Sequence, residues 1–442
     1  MKYLKLNTFN LLALGLLIFF GGTLLAAAGA GTLLWLLVRF FAAVLFFFAA
    51  WLGFLRHNMP PVGRRYFKLY VGLLAYVTVL TLPNLAGTWG YLGYRAALAG
   101  DVITYGLFAF GLALFALSGS QVIAIFKLLL ALCFGLFVVL IPLLDPSAVG
   151  AAGSRNDALS VAGLGESRHV YHFQMGMAVI FPYLLLSGFA IPLHAIWRAV
   201  LYITPAFVLM ISLYYSKRAL LLDLLVCMAL LYGVVAMFST HFAGLKKFKL
   251  LGITALLGVL LVLAGITFGK NLHVVTERLT GRFDELTESL GEVDRVVEAQ
   301  NYWYLVGPIR RVTGAGSMYF HQASTELPKG TLHIGWFNLY HKGGPPFVLF
   351  VAYIFFTNFV QAFRFRRRPS FAVGATLPIM CAISLMHSTV FGSLHGTFAF
   401  VLALFLYPVL FSLESNGGLP GAHAGHAGQP QRPHPAGFRR RF

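Results

Sequence analysis

Long apolar runs, each closed by a short polar or glycine-bearing connection, recur from residue 10 to residue 413. Each run is 18 residues or longer, enough for an α-helix to cross a hydrocarbon core about 30 Å thick. None alternates apolar and polar residues as a half-buried strand would. The pattern predicts an all-α polytopic membrane protein with about twelve spans, at 10–29, 32–55, 67–85, 101–118, 121–144, 174–195, 198–215, 219–240, 248–268, 345–363, 370–388 and 394–413. No small-residue cleavage site follows the first run, so it reads as a retained helix and not a signal peptide.

The spacing of the spans divides the chain into four parts. Residues 1–268 carry spans one to nine, 269–344 form one large loop, 345–413 carry the last three spans, and 414–442 form a Gly/Pro/His-rich tail that reads as disordered. The large loop holds eight of the fourteen carboxylates, Glu277, Asp284, Glu285, Glu288, Glu292, Asp294, Glu298 and Glu326. Its stretch 276–304 reads as helical, because Leu279, Phe283, Leu286, Leu290, Val293 and Val297 recur at three- and four-residue spacing. Gly307-Pro308 and Gly314-Ala315-Gly316 then break that pattern. A second, Gly/Ala/Ser-rich loop covers 145–173.

Charge fixes the orientation, because basic residues in short connections resist translocation. With the N-terminus in the cytoplasm, cytoplasmic segments hold eighteen Lys and Arg and the short external loops hold five. The large loop, excluded from this tally on account of its length, then lies outside, and both termini lie inside. The net charge of +19 reflects anchoring beside anionic headgroups and not nucleic-acid binding. No basic stretch is interleaved with aromatics on a polar surface, as a single-strand binder requires. Only 11% of residues are charged and 59% are hydrophobic, which excludes an ordinary soluble domain. Cys133, Cys227 and Cys381 all fall within apolar runs, so neither a disulfide framework nor a zinc spacing is available.

A few polar residues stand out of place. Lys217 and Arg218 sit at the external end of a span, where they either pair with Asp223 or meet an anion. Arg39 lies in the outer half of the second span, which reads as a functional cation or as one that snorkels to the headgroups. The large loop adds Arg278, Arg282, Arg295, Arg310 and Arg311, each able to pair with a loop carboxylate. His333 precedes the tenth span, with His341 eight residues on. Cations and a titratable imidazole thus converge on one membrane face, a setting suited to a lipid-linked phosphate.

Three segments resemble one family. Leu213-Tyr214-Tyr215-Ser216-Lys217-Arg218-Ala219-Leu220-Leu221-Leu222 resembles the Ser-Arg helix start of the O-antigen ligase and polymerase superfamily. Asp294-Arg295-Val296-Val297 through Trp303, followed by Gly314-Ala315-Gly316, looks like that family's large periplasmic loop. His333, with Gly344 eleven residues later, is similar to the family's His motif that closes on Gly-x-x-Gly. Ile334 stands where that motif carries Asn, Ser or Gln, and Phe347 stands in place of its last glycine.

The resemblance implies a GT-C-like bacterial inner-membrane enzyme with a periplasmic active face. It would move a glycan from undecaprenyl diphosphate to an acceptor sugar hydroxyl, without metal or other cofactor. Its partners would be the lipid-linked glycan, an acceptor glycan or lipid A core, and membrane lipids. Arg218 and Arg295 would clamp the leaving diphosphate in two-point hydrogen bonds, with Lys217 and Arg282 beside them. His333 would be the catalytic base that takes the acceptor's proton. Ligase and polymerase both remain open. The reading from another class is a transporter, for which the two halves show no convincing internal repeat.

Overall fold

The structure, a computed structural model, describes residues 7–27, 32–88, 92–140, 180–188, 191, 193–214, 224–230, 300, 302–304, 306–317, 335–364, 376–382, 385 and 394–415. Every element among them is helical, and seven helices are long and apolar enough to cross a membrane. The protein is therefore membrane-embedded. Hydrocarbon offers a backbone no partner, so each crossing segment must satisfy its own N–H and C=O groups, as an α-helix does.

The helices are α1 (Thr8–Ala27), α2 (Thr32–Leu55), α3 (Pro61–Thr88), α4 (Leu92–Ala113), α5 (Gly119–Leu140), α6 (Ala195–Tyr214), α7 (Pro308–Thr313), α8 (Gly335–Arg364) and α9 (Leu394–Ser415). Their ends follow local rules. Asn7 caps α1 by accepting the Asn10 N–H on Oδ1 at 2.8 Å. Beyond α2, His57 adopts φ 57°. Arg64 then holds the turn by donating to the carbonyls of Met59 and His57, at 3.0 and 2.8 Å. Gln121 reaches back to the Ser118 N–H at 3.0 Å, the return arm of a capping box at the start of α5.

Small residues let the helices approach closely, as is usual where lipid is as apolar as the side chains. Helix α2 lies between α1 and α4, and α9 packs along α4. Gly106 of α4 meets the backbone of Ala43 on α2, and Gly15 of α1 leaves room for the Phe46 ring. Rings fill the remaining space. Phe398 of α9 stacks on Phe19 of α1 at 5.7 Å, and Phe108 of α4 meets Phe350 of α8 at 6.3 Å. Leu349, Phe356 and Phe363 of α8 repeat every seven residues and are exposed, forming an apolar stripe that faces lipid.

Some boundaries differ from the sequence reading. Helix α4 starts nine residues before the expected span, which places Asp101 inside the helix and not at its edge. Helix α8 starts at Gly335, so ten residues assigned to the large loop belong to it, with a kink at non-helical Gly344 before the tenth span. Residues 414 and 415 continue α9, while the span expected at 248–268, the loop at 145–173 and the tail beyond Ser415 lie outside the described residues. So does the expected loop helix at 276–304, apart from residues 300 and 302–304.

Candidate functional site

A short stretch of the large loop, residues 306–317, docks onto the ends of α3 and α8. Two prolines prepare the receiving surface. Pro345 has no N–H, so it cannot close the helical bond to the carbonyl of His341. That carbonyl instead accepts the Ala315 N–H at 2.7 Å. Beside it, Gly344 takes φ 58° and ψ −159°, and Gly314 takes φ 87° and ψ 167°. Both lie in a region that only glycine occupies readily. A Cβ on Gly314 would strike the Gly344 backbone, and one on Gly344 would strike the Thr313 carbonyl. Gly316, at φ 78°, lies against the Leu80 backbone, where a Cβ would come within 2.8 Å. The three glycines are thus sites of backbone-to-backbone contact.

Polar side chains complete the joint. Asn84 on α3 donates from Nδ2 to the carbonyls of Ala315 and Ser317, at 2.8 and 2.9 Å. Its Oδ1 accepts from Arg310 Nη2 at 3.1 Å. One buried carboxamide therefore holds both the loop and its cation. Thr81 Oγ1 accepts the Ser317 N–H at 3.0 Å, and Tyr76 donates to the Thr313 carbonyl at 2.8 Å. Tyr340 donates to the carbonyl of Arg311, whose own guanidinium binds the carbonyls of Val306 and Tyr304, at 2.8 and 2.9 Å. Arg311 is a local staple, whereas Arg310 faces α3.

Two further charges lie inside the bundle. Lys342 of α8 pairs with Asp101 of α4, both buried. Arg39 of α2 does not snorkel, being 5% exposed. It donates to Thr23 Oγ1 at 2.8 Å, and its guanidinium lies 4.7 Å from the Trp35 ring centre and 5.3 Å from that of Phe19. Neighbouring His341 is buried, with Tyr302 edge-on to its ring at 5.1 Å.

The expected site residues Lys217, Arg218, Arg282, Arg295 and His333 lie outside the described residues. The structure does bring together Gly314-Ala315-Gly316 and Gly344, which the sequence offered as parts of separate motifs. It adds Asn84, Asp101, Arg310 and Lys342 to the same neighbourhood. The sequence singled out none of Asn84, Asp101 and Lys342, and offered Arg310 only as a loop cation able to pair with a carboxylate. Comparison with protein families and with characterised proteins finds no match for the chain.

Proposed function

We propose that the protein is a membrane glycosyltransferase of the O-antigen ligase and polymerase type, moving a glycan from undecaprenyl diphosphate to an acceptor sugar hydroxyl. It sits in a bacterial inner membrane with about twelve spans, both termini in the cytoplasm and the large loop in the periplasm. The observation that supports this reading is the docking of the loop's Gly314-Ala315-Gly316 onto Gly344. Two segments that resemble motifs of that family meet there, through Gly314 and Gly344, thirty residues apart (344 less 314). In the sequence, His333 lies two residues before the first residue of α8.

The chemistry follows from charge. The leaving diphosphate gathers negative charge, and Arg218 and Arg295 stabilise it through two-point hydrogen bonds, with Lys217 and Arg282 adding positive potential. That stabilisation makes a metal unnecessary. His333, neutral above its titration range, takes the proton of the attacking hydroxyl. A full chain on the carrier would make the enzyme a ligase, and single units would make it a polymerase.

Purified full-length protein given a lipid-linked oligosaccharide and an acceptor tests the reading. Arg218→Ala should abolish transfer, and Arg218→Lys should rescue it poorly, because an ammonium lacks the fork. His333→Ala should slow transfer by about 10² to 10⁴ with little change in donor affinity. The wild-type rate should fall as pH drops through roughly 6.5, where an unperturbed imidazole takes up a proton and can no longer act as base. Normal turnover by both Ala variants would falsify these roles.

One observation favours a second reading. The buried Asp101–Lys342 pair is of the kind that marks ion and substrate paths in membrane carriers. Sealed vesicles that accumulate a solute but transfer no glycan would select the transporter.

A further inference from the structure

The docked loop shows an inverted surface. Among the described residues from 302 to 313, those exposed are Trp303, Tyr304, Gly307, Pro308, Ile309 and Val312, and none of them is charged. Tyr304, Ile309 and Val312 are 76%, 77% and 67% exposed, as far out as Leu349 and Phe356 on the lipid-facing stripe of α8, at 65% and 66%. The two cations of the stretch turn the other way. Arg310 binds Asn84 on α3, and Arg311 binds the carbonyls of Val306 and Tyr304. A segment bathed in water shows its charges and gathers its apolar side chains inward. This one does the reverse.

The level of the loop in the bundle says what that surface meets. The part of α3 apolar enough to cross a membrane is Pro61–Leu85. The residues that hold the loop lie inside it: Tyr76 binds the Thr313 carbonyl, Thr81 the Ser317 N–H, and Asn84 the carbonyls of Ala315 and Ser317. Tyr76 is nine residues short of Leu85 (85 less 76), roughly 14 Å along a helix. Between these same residues, α3 exposes Val79 and Leu82. On α8, Tyr340 and His341 hold Arg311 and Ala315, and they too lie within its crossing part, Gly335–Phe363. The C-terminal end of α7 is thus fastened below the rim of the crossing helices, where their outer sides face lipid. Trp and Tyr are the side chains that settle at the border of hydrocarbon and water. Trp303 is placed beside the Tyr340 ring, with centres 6.4 Å apart.

We propose that the outer face of α7, Ile309 and Val312 with Trp303 and Tyr304 beside them, lies against the lipid surface on the membrane side that the large loop occupies. The inference is independent of the reaction proposed above. The loop is then held from two sides, by hydrogen bonds to α3 and α8 and by apolar side chains seated among lipid. The division of labour is plain in the residues. The bundle takes the two guanidinium groups and the backbone carbonyls, which need hydrogen bonds, and leaves outside the side chains that lipid accepts without them. Seated in this way, α7 fixes the height of the loop over the headgroups.

The test uses full-length protein in phosphatidylglycerol nanodiscs. The photocrosslinker p-benzoylphenylalanine replaces Ile309 or Val312 and, as the reference for surrounding lipid, Phe356 on the exposed stripe of α8. Mass spectrometry reads what each position captures. At Ile309 and Val312, as at Phe356, lipid adducts should exceed adducts to protein by at least about tenfold. Capture of another segment of the same chain or of a second copy overturns the proposal. So does the absence of any adduct where Phe356 captures lipid, the result expected of a face in water. A second arm replaces Ile309 by Asp. In water a carboxylate in the first turn of a helix is tolerated or favoured, whereas lipid expels it. Amide exchange across 308–313 should therefore rise at least about tenfold in Ile309→Asp and stay at the wild-type rate in Ile309→Leu, with exchange in α5 showing that the bundle is folded. Unchanged exchange in a folded Ile309→Asp protein overturns the proposal. Should that variant fail to fold, the crosslinking, which keeps a large apolar side chain at each position, decides alone.

Discussion

At the scale of single residues, the polar groups inside this bundle matter through what they satisfy. Asp101 and Lys342 neutralise each other where neither could stand alone. Asp101→Asn should destabilise the protein by about 3–5 kcal/mol, because it strands a buried ammonium. Adding Lys342→Met should recover most of the loss, since the double variant leaves no buried charge. Thermal unfolding in detergent reads both, and a double variant no better than the single would show that the pair is not coupled. Asn84 makes hydrogen bonds to Ala315, Ser317 and Arg310 from one carboxamide. Asn84→Leu should leave the carbonyls of Ala315 and Ser317 short of a donor, at about 1–3 kcal/mol each. The expected consequence is faster amide exchange across 306–317 with little change in α5, which hydrogen-exchange mass spectrometry resolves.

At the scale of elements, the joint between the loop and α8 depends on glycine. Gly314→Ala and Gly344→Ala should each cost at least about 1–3 kcal/mol in strain, with a backbone collision added. Gly72→Ala in α3, which meets open space, should be neutral or stabilising by up to about 1 kcal/mol. Equal melting temperatures for all three variants would dismiss the contact. The seven crossing helices among the described residues were legible in the sequence, because a long apolar run has one stable form in lipid. Helix α9 begins at the expected residue, Leu394, and α2 keeps its expected bounds. The start of α4 was not legible, since the polar and small residues before Asp101 read as a connection although the helix includes them. Gly314-Ala315-Gly316 was visible as a break, but not its partner. Nothing local in a sequence tells a glycine needed for a turn from one needed for a neighbour 30 residues away (344 less 314). Asn84 was missed for a related reason: its role depends on a loop 231 residues further along the chain.

At the scale of the whole molecule, orientation is the premise on which a periplasmic site depends. Cysteine placed at Ser289 should react with an impermeant thiol reagent from outside the cell, while cysteine at Ser370 should not. Labelling in the opposite sense would turn the loop toward the cytoplasm and remove lipid-linked glycan from its reach. The bond from Asn84 to Ala315 has a further consequence, in time and not in space. Translation adds about 5–20 residues per second. Helix α3 is therefore made roughly 10 to 50 s before Ala315, the acceptor 231 positions further on, exists. During that interval the end of α3 carries a carboxamide that lacks its Ala315 and Ser317 acceptors. The first helices to be made are in this respect among the last to be finished.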